Sequence, residues 1–177
     1  MGNIQKFQKE KLIIGVLLSN LDEISSVKAW LIPEYGEIDY ESEPLLFTYT
    51  KYYTKEMGTE IYRIFLSFKN LISPERLSDI KIFTNTLEQR FAFAGARKVN
   101  LDPGILNNSR LILASTKDNV QRVPLKKGIF AEITLQYMHG EFVDLFWTYP
   151  DYKSEEYKQI LSEIRKKYSL QLKQEEK

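Results

Sequence analysis

The sequence predicts an α+β fold: a ferredoxin-like β-α-β-β-α-β core, an antiparallel extension of the same sheet, and a C-terminal helix. Three observations carry this. The first half alternates strand-like and helix-like periods, the second half holds four successive strand-like runs between turn residues, and the chain ends in helical spacing.

Leu12 to Leu18 is a continuous apolar, β-prone run suited to a strand covered on both faces. Asp22 can cap a helix carrying Ile24, Val27, Trp30 and Leu31, closed by Pro33 and Gly36. From Glu37 to Thr50 the pattern is extended. Between Thr59 and Lys69, Tyr62, Ile64, Leu66 and Phe68 share one strand face, and Ile61, Arg63, Phe65 and Ser67 the other. Ser73-Pro74-Glu75 starts a helix with the stripe Leu77, Ile80, Thr84, Leu87 and Phe91, ended by Gly95. A strand from Arg97 to Leu101 completes the core, and Asp102-Pro103-Gly104 reads as a turn. Further strands follow at Arg110–Thr116, Val120–Leu125, Gly128–Tyr137 and Phe142–Thr148, with hairpin chemistry at Lys117-Asp118-Asn119 and Met138-His139-Gly140-Glu141. Pro150-Asp151 breaks the sheet, and a last helix carries Tyr157, Ile160, Leu161, Ile164 and Tyr168. The whole chain, 1–177, is expected to be one domain, with 1–10 and 171–177 frayed.

Composition narrows the function. An apolar fraction of 43% with 13% aromatics predicts a packed globule. Lys+Arg 25 against Asp+Glu 24 leaves a net charge of +1, which argues against DNA binding. The same balance, without an Arg/Lys-Gly-Phe-type motif, argues against an RNA-binding sheet. The absence of cysteine removes disulfides, thiolate metal sites and cysteine nucleophiles. The lysines and apolar run near the start superficially suggest a signal peptide, but the run is short and no small-residue cleavage site follows. No stretch reaches the ~18 apolar residues of a membrane span. The expected address is the cytoplasm, without membrane contact.

Several motifs fail on inspection. Thr116-Lys117-Asp118 approximates the guanine-reading Asn-Lys-x-Asp, but with the wrong spacing, and no Gly-x4-Gly-Lys-[Ser/Thr] loop accompanies it. Glu37, Asp39, Glu41 and Glu43 alternate as in triphosphate tunnel enzymes, yet the companion Glu-x-Glu-x-Lys is missing, so a solvated face of an edge strand is the expectation. The single histidine, His139, sits in a turn without a partner ligand, so no metal site is expected.

Two polar clusters remain. In the first, Arg97, Asn100 and Asp102 precede Lys117 and Arg122, and Glu132, Thr134 and Gln136 line the polar side of a strand opposite Ile129, Ala131, Ile133 and Leu135. These groups suit a ligand pocket, or equally the solvated face of an antiparallel sheet. In the second, Tyr52, Tyr53 and Glu56 stand near Arg63. They suit a phosphate or carboxylate, or rings packed on a sheet.

The residues at these clusters also carry a family resemblance. They include Thr50, Tyr52-Tyr53, Glu56-Met57-Gly58, Arg63, Asn85, Leu87-Glu88 and Arg97, then the run Val99 to Gly104. They continue with Leu113 to Lys117, Arg122, Gly128, Glu132 to Leu135, and Trp147 to Tyr152. From about Leu12 to Tyr168 the chain resembles a bacterial family of similar length carried as a domain of unknown function, some of whose members are loosely labelled GTP-binding. The resemblance implies no reaction, and the missing phosphate loop lends the label no support. It does imply that the two clusters form one shared site.

Two functions follow as expectations. In one, Arg63, Arg97, Lys117 and Arg122, with Asn100, Thr134, Tyr53 and Glu56, bind an anionic, phosphorylated or nucleotide-like small molecule. Glu132 and Asp102 are then the candidates for orienting hydroxyls, holding a divalent ion or acting as base. The sequence identifies no cofactor and no reaction. In the other, the chain is a protein–protein module or homo-oligomer whose exposed aromatics, Tyr149, Tyr152 and Trp147, anchor the partner.

Overall fold

A computed structural model describes residues 2–175. In chain order the elements begin with β1 (Glu10–Leu18), α1 (Glu23–Tyr35), β2 (Ile38–Glu41), β3 (Leu45–Leu46) and α2 (Thr54–Met57). Then come β4 (Tyr62–Ile72), α3 (Leu77–Arg90), β5 (Val99–Leu106), β6 (Arg110–Ser115) and β7 (Val123–Pro124). The chain closes with β8 (Phe130–Met138), β9 (Glu141–Asp144) and α4 (Glu155–Glu175). The strands form one antiparallel sheet of nine, ordered β2-β4-β1-β5-β6-β8-β7, with β3 paired to β4 and β9 to β8.

Strand alternation builds the layers. Leu12, Ile14, Val16 and Leu18 of β1 join Ile64, Leu66 and Phe68 of β4 against Val27 and Leu31 of α1 and Ile80 and Leu87 of α3. The opposite face puts Ile13 and Phe65 on Tyr157, Leu161 and Ile164 of α4. Next to α4, Leu17 packs with Phe47, Met57 and Ile61 from the segment between β3 and β4. The alternation read from 61–68 therefore holds at Ile61, Ile64, Phe65, Leu66 and Phe68.

Several local expectations are corrected. Asp22 and Ser73 occupy helix-start positions but neither side chain makes a capping bond. The stripe helix begins with a short 3₁₀ turn at Pro74–Arg76 and stops at Arg90, before Gly95. Asp102-Pro103-Gly104 is not a turn: β5 runs straight through it, pairing Asp102 with Gly15, Pro103 with Ile14 and Gly104 with Ile13. Lys117-Asp118-Asn119 is not a hairpin either, because β6 pairs with β8 and β7 lies on the far side of β8. The strands expected at Val120–Leu125 and Phe142–Thr148 shrink to Val123–Pro124 and Glu141–Asp144. The second hairpin stands, since Met138 pairs with Glu141 and His139 and Gly140 both take positive φ, as a tight two-residue turn requires.

The apolar face expected for Ile129, Ala131, Ile133 and Leu135 is split. Leu111 pairs with Leu135 but Ile112 with Ile133, so Thr134 is the extra residue of a β-bulge. Ile129 and Ala131 pack with the α1/α3 layer, Leu135 packs with α4, and Ile133 is exposed. Asp39 also departs from the solvated acidic face, because it accepts hydrogen bonds from Ser67 and from the fully buried Lys11. Gln171, placed in a frayed tail by the sequence, is within α4 and bonds the Lys69 carbonyl at 2.7 Å. Position 1 and positions 176–177 lie outside the described residues.

A glycine lies at a short seam in the middle of the sheet. β5 and β6 pair only through Gly104–Leu113, Ile105–Ile112 and Leu106–Leu111. A Cβ on Gly104 would lie 2.6 Å from the Ile112 carbonyl oxygen and 2.7 Å from Leu113 Cδ2. Gly104→Ala is therefore predicted to cost about 1–3 kcal/mol. Urea unfolding reads this, and an unchanged midpoint would show that the seam is not tight.

Candidate functional site

The site begins where the sheet opens. Beyond Gly104 and Leu113 the strands β5 and β6 no longer pair. The Leu101 amide instead donates to Glu88 Oε1 at 2.8 Å, and the Leu101 carbonyl accepts from Lys81 Nζ at 2.8 Å. Both partners rise from α3. Because alternate residues of a strand direct their backbone groups to the same side, Pro103 faces that same edge, and it has no N–H to offer β6. The split thus has a local cause, and α3 satisfies the groups it exposes.

On the α4 side, Arg63 of β4 is 2% exposed and reaches across β1 to β5. It donates from Nη1 to Asp102 at 2.9 Å and from Nη2 to Asp151 at 3.3 Å. The crossing passes over Gly15, where a Cβ would sit 2.7 Å from Arg63 Nη1 and 3.3 Å from the Tyr152 hydroxyl. Burial alone would raise the Asp102 carboxyl, but Arg63 and Lys81 hold it below its ordinary range. In Asp151 burial outweighs Arg63, and that carboxyl is raised. Burial likewise raises Glu88 against the pull of Lys81.

The remaining polar residues extend this network. Asn100 donates to Asp102 at 2.9 Å and accepts from Arg97 Nη1 at 3.1 Å, while Arg97 Nε donates to Glu56 at 2.6 Å. Arg122 folds inward from the loop after β6, donating to Glu132 Oε2 at 2.8 Å, to the Lys117 carbonyl at 2.8 Å and to the Tyr149 hydroxyl. Gln121 adds a second donor to Glu132 Oε2 at 3.0 Å, leaving Oε1 buried without a hydrogen-bond partner among the described residues. Lys117 Nζ lies 3.4 Å from the Tyr52 hydroxyl and 4.5 Å from that ring's centroid.

These groups surround one cavity of about 500 Å³. The two sequence clusters therefore meet: Tyr53 and Arg63 line the same space as Arg97, Asn100, Asp102, Lys117, Arg122 and Glu132. Glu56 is outside the lining and buttresses Arg97 from the rim. Thr134 is also outside it. The bulge buries its side chain, and its carbonyl accepts from Thr148 Oγ1 at 2.6 Å. Tyr152, expected to be exposed, is buried at the cavity floor.

Sequence reasoning missed Lys81, Glu88 and Asp151 as site residues. The first two had a readable signal, since they sit at helical spacing beside the apolar stripe Leu77, Ile80, Thr84 and Leu87, where a solvated charge has no place. Among the described residues no group of three or more His, Asp or Glu side chains is arranged to hold a metal ion. No helix among them is long and apolar enough to cross a membrane.

The two partners of Arg63 are predicted to be unequal. Asp102→Asn should destabilise by about 2–4 kcal/mol, below the usual cost of breaking a buried pair because Asp102 is 27% exposed. Asp151→Asn should cost less, because the Asp151 carboxylate is disfavoured by its own burial. The Asp102 carboxyl is depressed in the folded state, so its contribution is fully present above the ordinary aspartate value near 3.9 and declines as the pH falls below it. Unfolding measured from pH 7 downward should therefore bring wild type and Asp102→Asn together, and a constant gap would refute the assignment.

No curated protein and no solved structure matches the chain. A family model described as a domain of unknown function (DUF4416) matches residues 8–168. That span takes in all the strands and the first two-thirds of α4, and with them every residue lining the cavity. The chain belongs to the DUF4416 family of domains of unknown function.

Proposed function

We propose that the cavity between β5 and β6 binds a small anionic molecule of phosphorylated or nucleotide-like kind. The observation that carries this is Lys117, which has no carboxylate partner among the described residues and meets only the ring and hydroxyl of Tyr52 at the cavity mouth. Arg63, Arg97 and Arg122 are each engaged by a carboxylate and supply the positive background. The volume, about 500 Å³, suits a metabolite-sized ligand. Phe47, Tyr49 and Tyr53 add aromatic surface to the lining beside the polar groups. The same reading takes β1, β2, β4 and β5 with α1 and α3 as a ferredoxin-like core, in support of which the strand order is β2-β4-β1-β5.

A thermal-shift panel of sugar phosphates, nucleotides, organic acids and inorganic phosphate tests the proposal. A ligand present at about 100 times its Kd adds ~2.7 kcal/mol. This raises the midpoint by roughly 5–10 °C. The response should disappear in Lys117→Met, which keeps the aliphatic stem. A flat response to every anion would end this reading.

One observation favours a second reading, self-association. Phe146 is 97% exposed and adjoins Trp147, itself 41% exposed with its Nε1 bonded to the Ile133 carbonyl. An apolar ring held fully in solvent beside an anchored tryptophan suits a contact surface. Sedimentation at two concentrations checks it: mass should rise with concentration and fall back in Phe146→Ser, and a monomer at both would exclude it.

A further inference from the structure

The cavity has two chemically different ends, and they specify more than an anion. Lys117 stands at the mouth beside Tyr52, which is 57% exposed. The deeply buried part of the lining carries Glu132, Asp151 and Glu88, with Asp102 partly exposed beside them. A phosphate driven inward would meet those carboxylates, so the negative group belongs at the mouth.

The inner carboxylates are mostly occupied. Asp102 is bonded by Arg63 and Asn100, Asp151 by Arg63, and Glu88 by the Leu101 amide. Glu132 differs. Its Oε2 takes two donors, from Gln121 and Arg122, while Oε1 is buried with none. The Glu132 side chain is 2% exposed, and a buried acceptor left unsatisfied is unfavourable. The Tyr152 hydroxyl on the cavity floor is in the same condition. Because Arg122 already compensates the charge of Glu132, an incoming ammonium would be desolvated against a paired carboxylate. A neutral hydroxyl satisfies Oε1 at less cost.

We infer that the occupant is a phosphorylated polyol, its phosphate held by Lys117 at the mouth and a hydroxyl donating inward to Glu132 Oε1. This rests on the anion reading above. It goes further by fixing the ligand's orientation and by making Glu132 the residue that selects for hydroxyls. Glu132→Gln weakens the selection, because Gln121 and Arg122 both donate to the Oε2 position and so hold the amide oxygen there. The amide nitrogen then occupies the Oε1 position, and a ligand hydroxyl can only accept from it, a neutral hydrogen bond in place of one to a charged acceptor.

Calorimetric titration of the full chain with ribose 5-phosphate, butyl phosphate and inorganic phosphate tests this. In wild type, ribose 5-phosphate should bind at least about tenfold tighter than butyl phosphate, the worth of one hydrogen bond to a charged acceptor. Glu132→Gln should lower that ratio at least about threefold, the difference between a charged and a neutral acceptor, whereas Lys117→Met should weaken both organic phosphates alike and keep the ratio. Should Glu132→Gln fail to fold, the wild-type comparison alone decides. Equal affinity for the two organic phosphates overturns the polyol inference while the anion site stands. Failure of all three probes to bind overturns both.

Discussion

The structure depends on one buried cation. The Arg63 guanidinium lies over the middle of the sheet, within 5.6 Å of the Phe47 ring and 5.8 Å of the Phe65 ring. A charge so placed must be compensated where it sits, or folding loses several kcal/mol. Compensation comes from two distant parts of the chain: Asp102 on β5 and Asp151 in the turn before α4. The second contact fixes the start of α4 to the sheet, and Tyr152 and Tyr157 then pack on Phe65. The crossing is open only because residue 15 has no side chain. One arginine therefore couples β4, β1, β5, the aromatic segment before α2 and the helix that closes the fold.

The split in the sheet is the second constraint, and it follows from the first half of β5. Asn100 and Asp102 turn toward Arg63 and Arg97, while Leu101 on the alternate side turns into the apolar layer. With Pro103 unable to donate, β6 has no ladder to follow beyond Gly104. An opened sheet usually exposes unsatisfied backbone, and here Lys81 and Glu88 occupy those groups from α3. The cavity is consequently a stable gap in a continuous sheet and not a cleft between separable parts.

Much of this was legible in the chain itself. Arg63 stands between Ile61 and Phe65 on one face of the run 61–68, and a charge so placed marks either an edge or a buried network. The turn at His139-Gly140 and the α3 stripe were equally plain. What was hidden depended on partners remote in sequence. Asp102-Pro103-Gly104 has strong turn chemistry, yet pairing with β1 overrides it across the whole strand. The bulge at Thr134 leaves no trace in composition, but it moves every later residue of β8 to the opposite face, and it carries Thr134 away from the site. Asp39 looked like one of four solvated acids, because nothing near it in sequence reveals Lys11 beneath.

The electrostatics of the cavity decide what kind of selectivity it can have. A site that collects unpaired cations attracts anions of any shape, and its affinity falls steeply with salt. Here Arg63, Arg97 and Arg122 already hold carboxylates at 2.9, 2.6 and 2.8 Å, so their fields largely cancel beyond the first contact. Among the described residues lining the cavity, the Lys117 ammonium is left without a carboxylate partner to supply long-range attraction. On the proposed anion reading, discrimination comes from hydrogen-bond geometry against groups that the ion pairs hold rigid, and chiefly from a carboxylate with one oxygen fixed by two donors and the other open. Such an arrangement gives modest attraction and sharp rejection of ligands lacking the matching donor, because a mismatch leaves a buried charge-bearing oxygen unsatisfied.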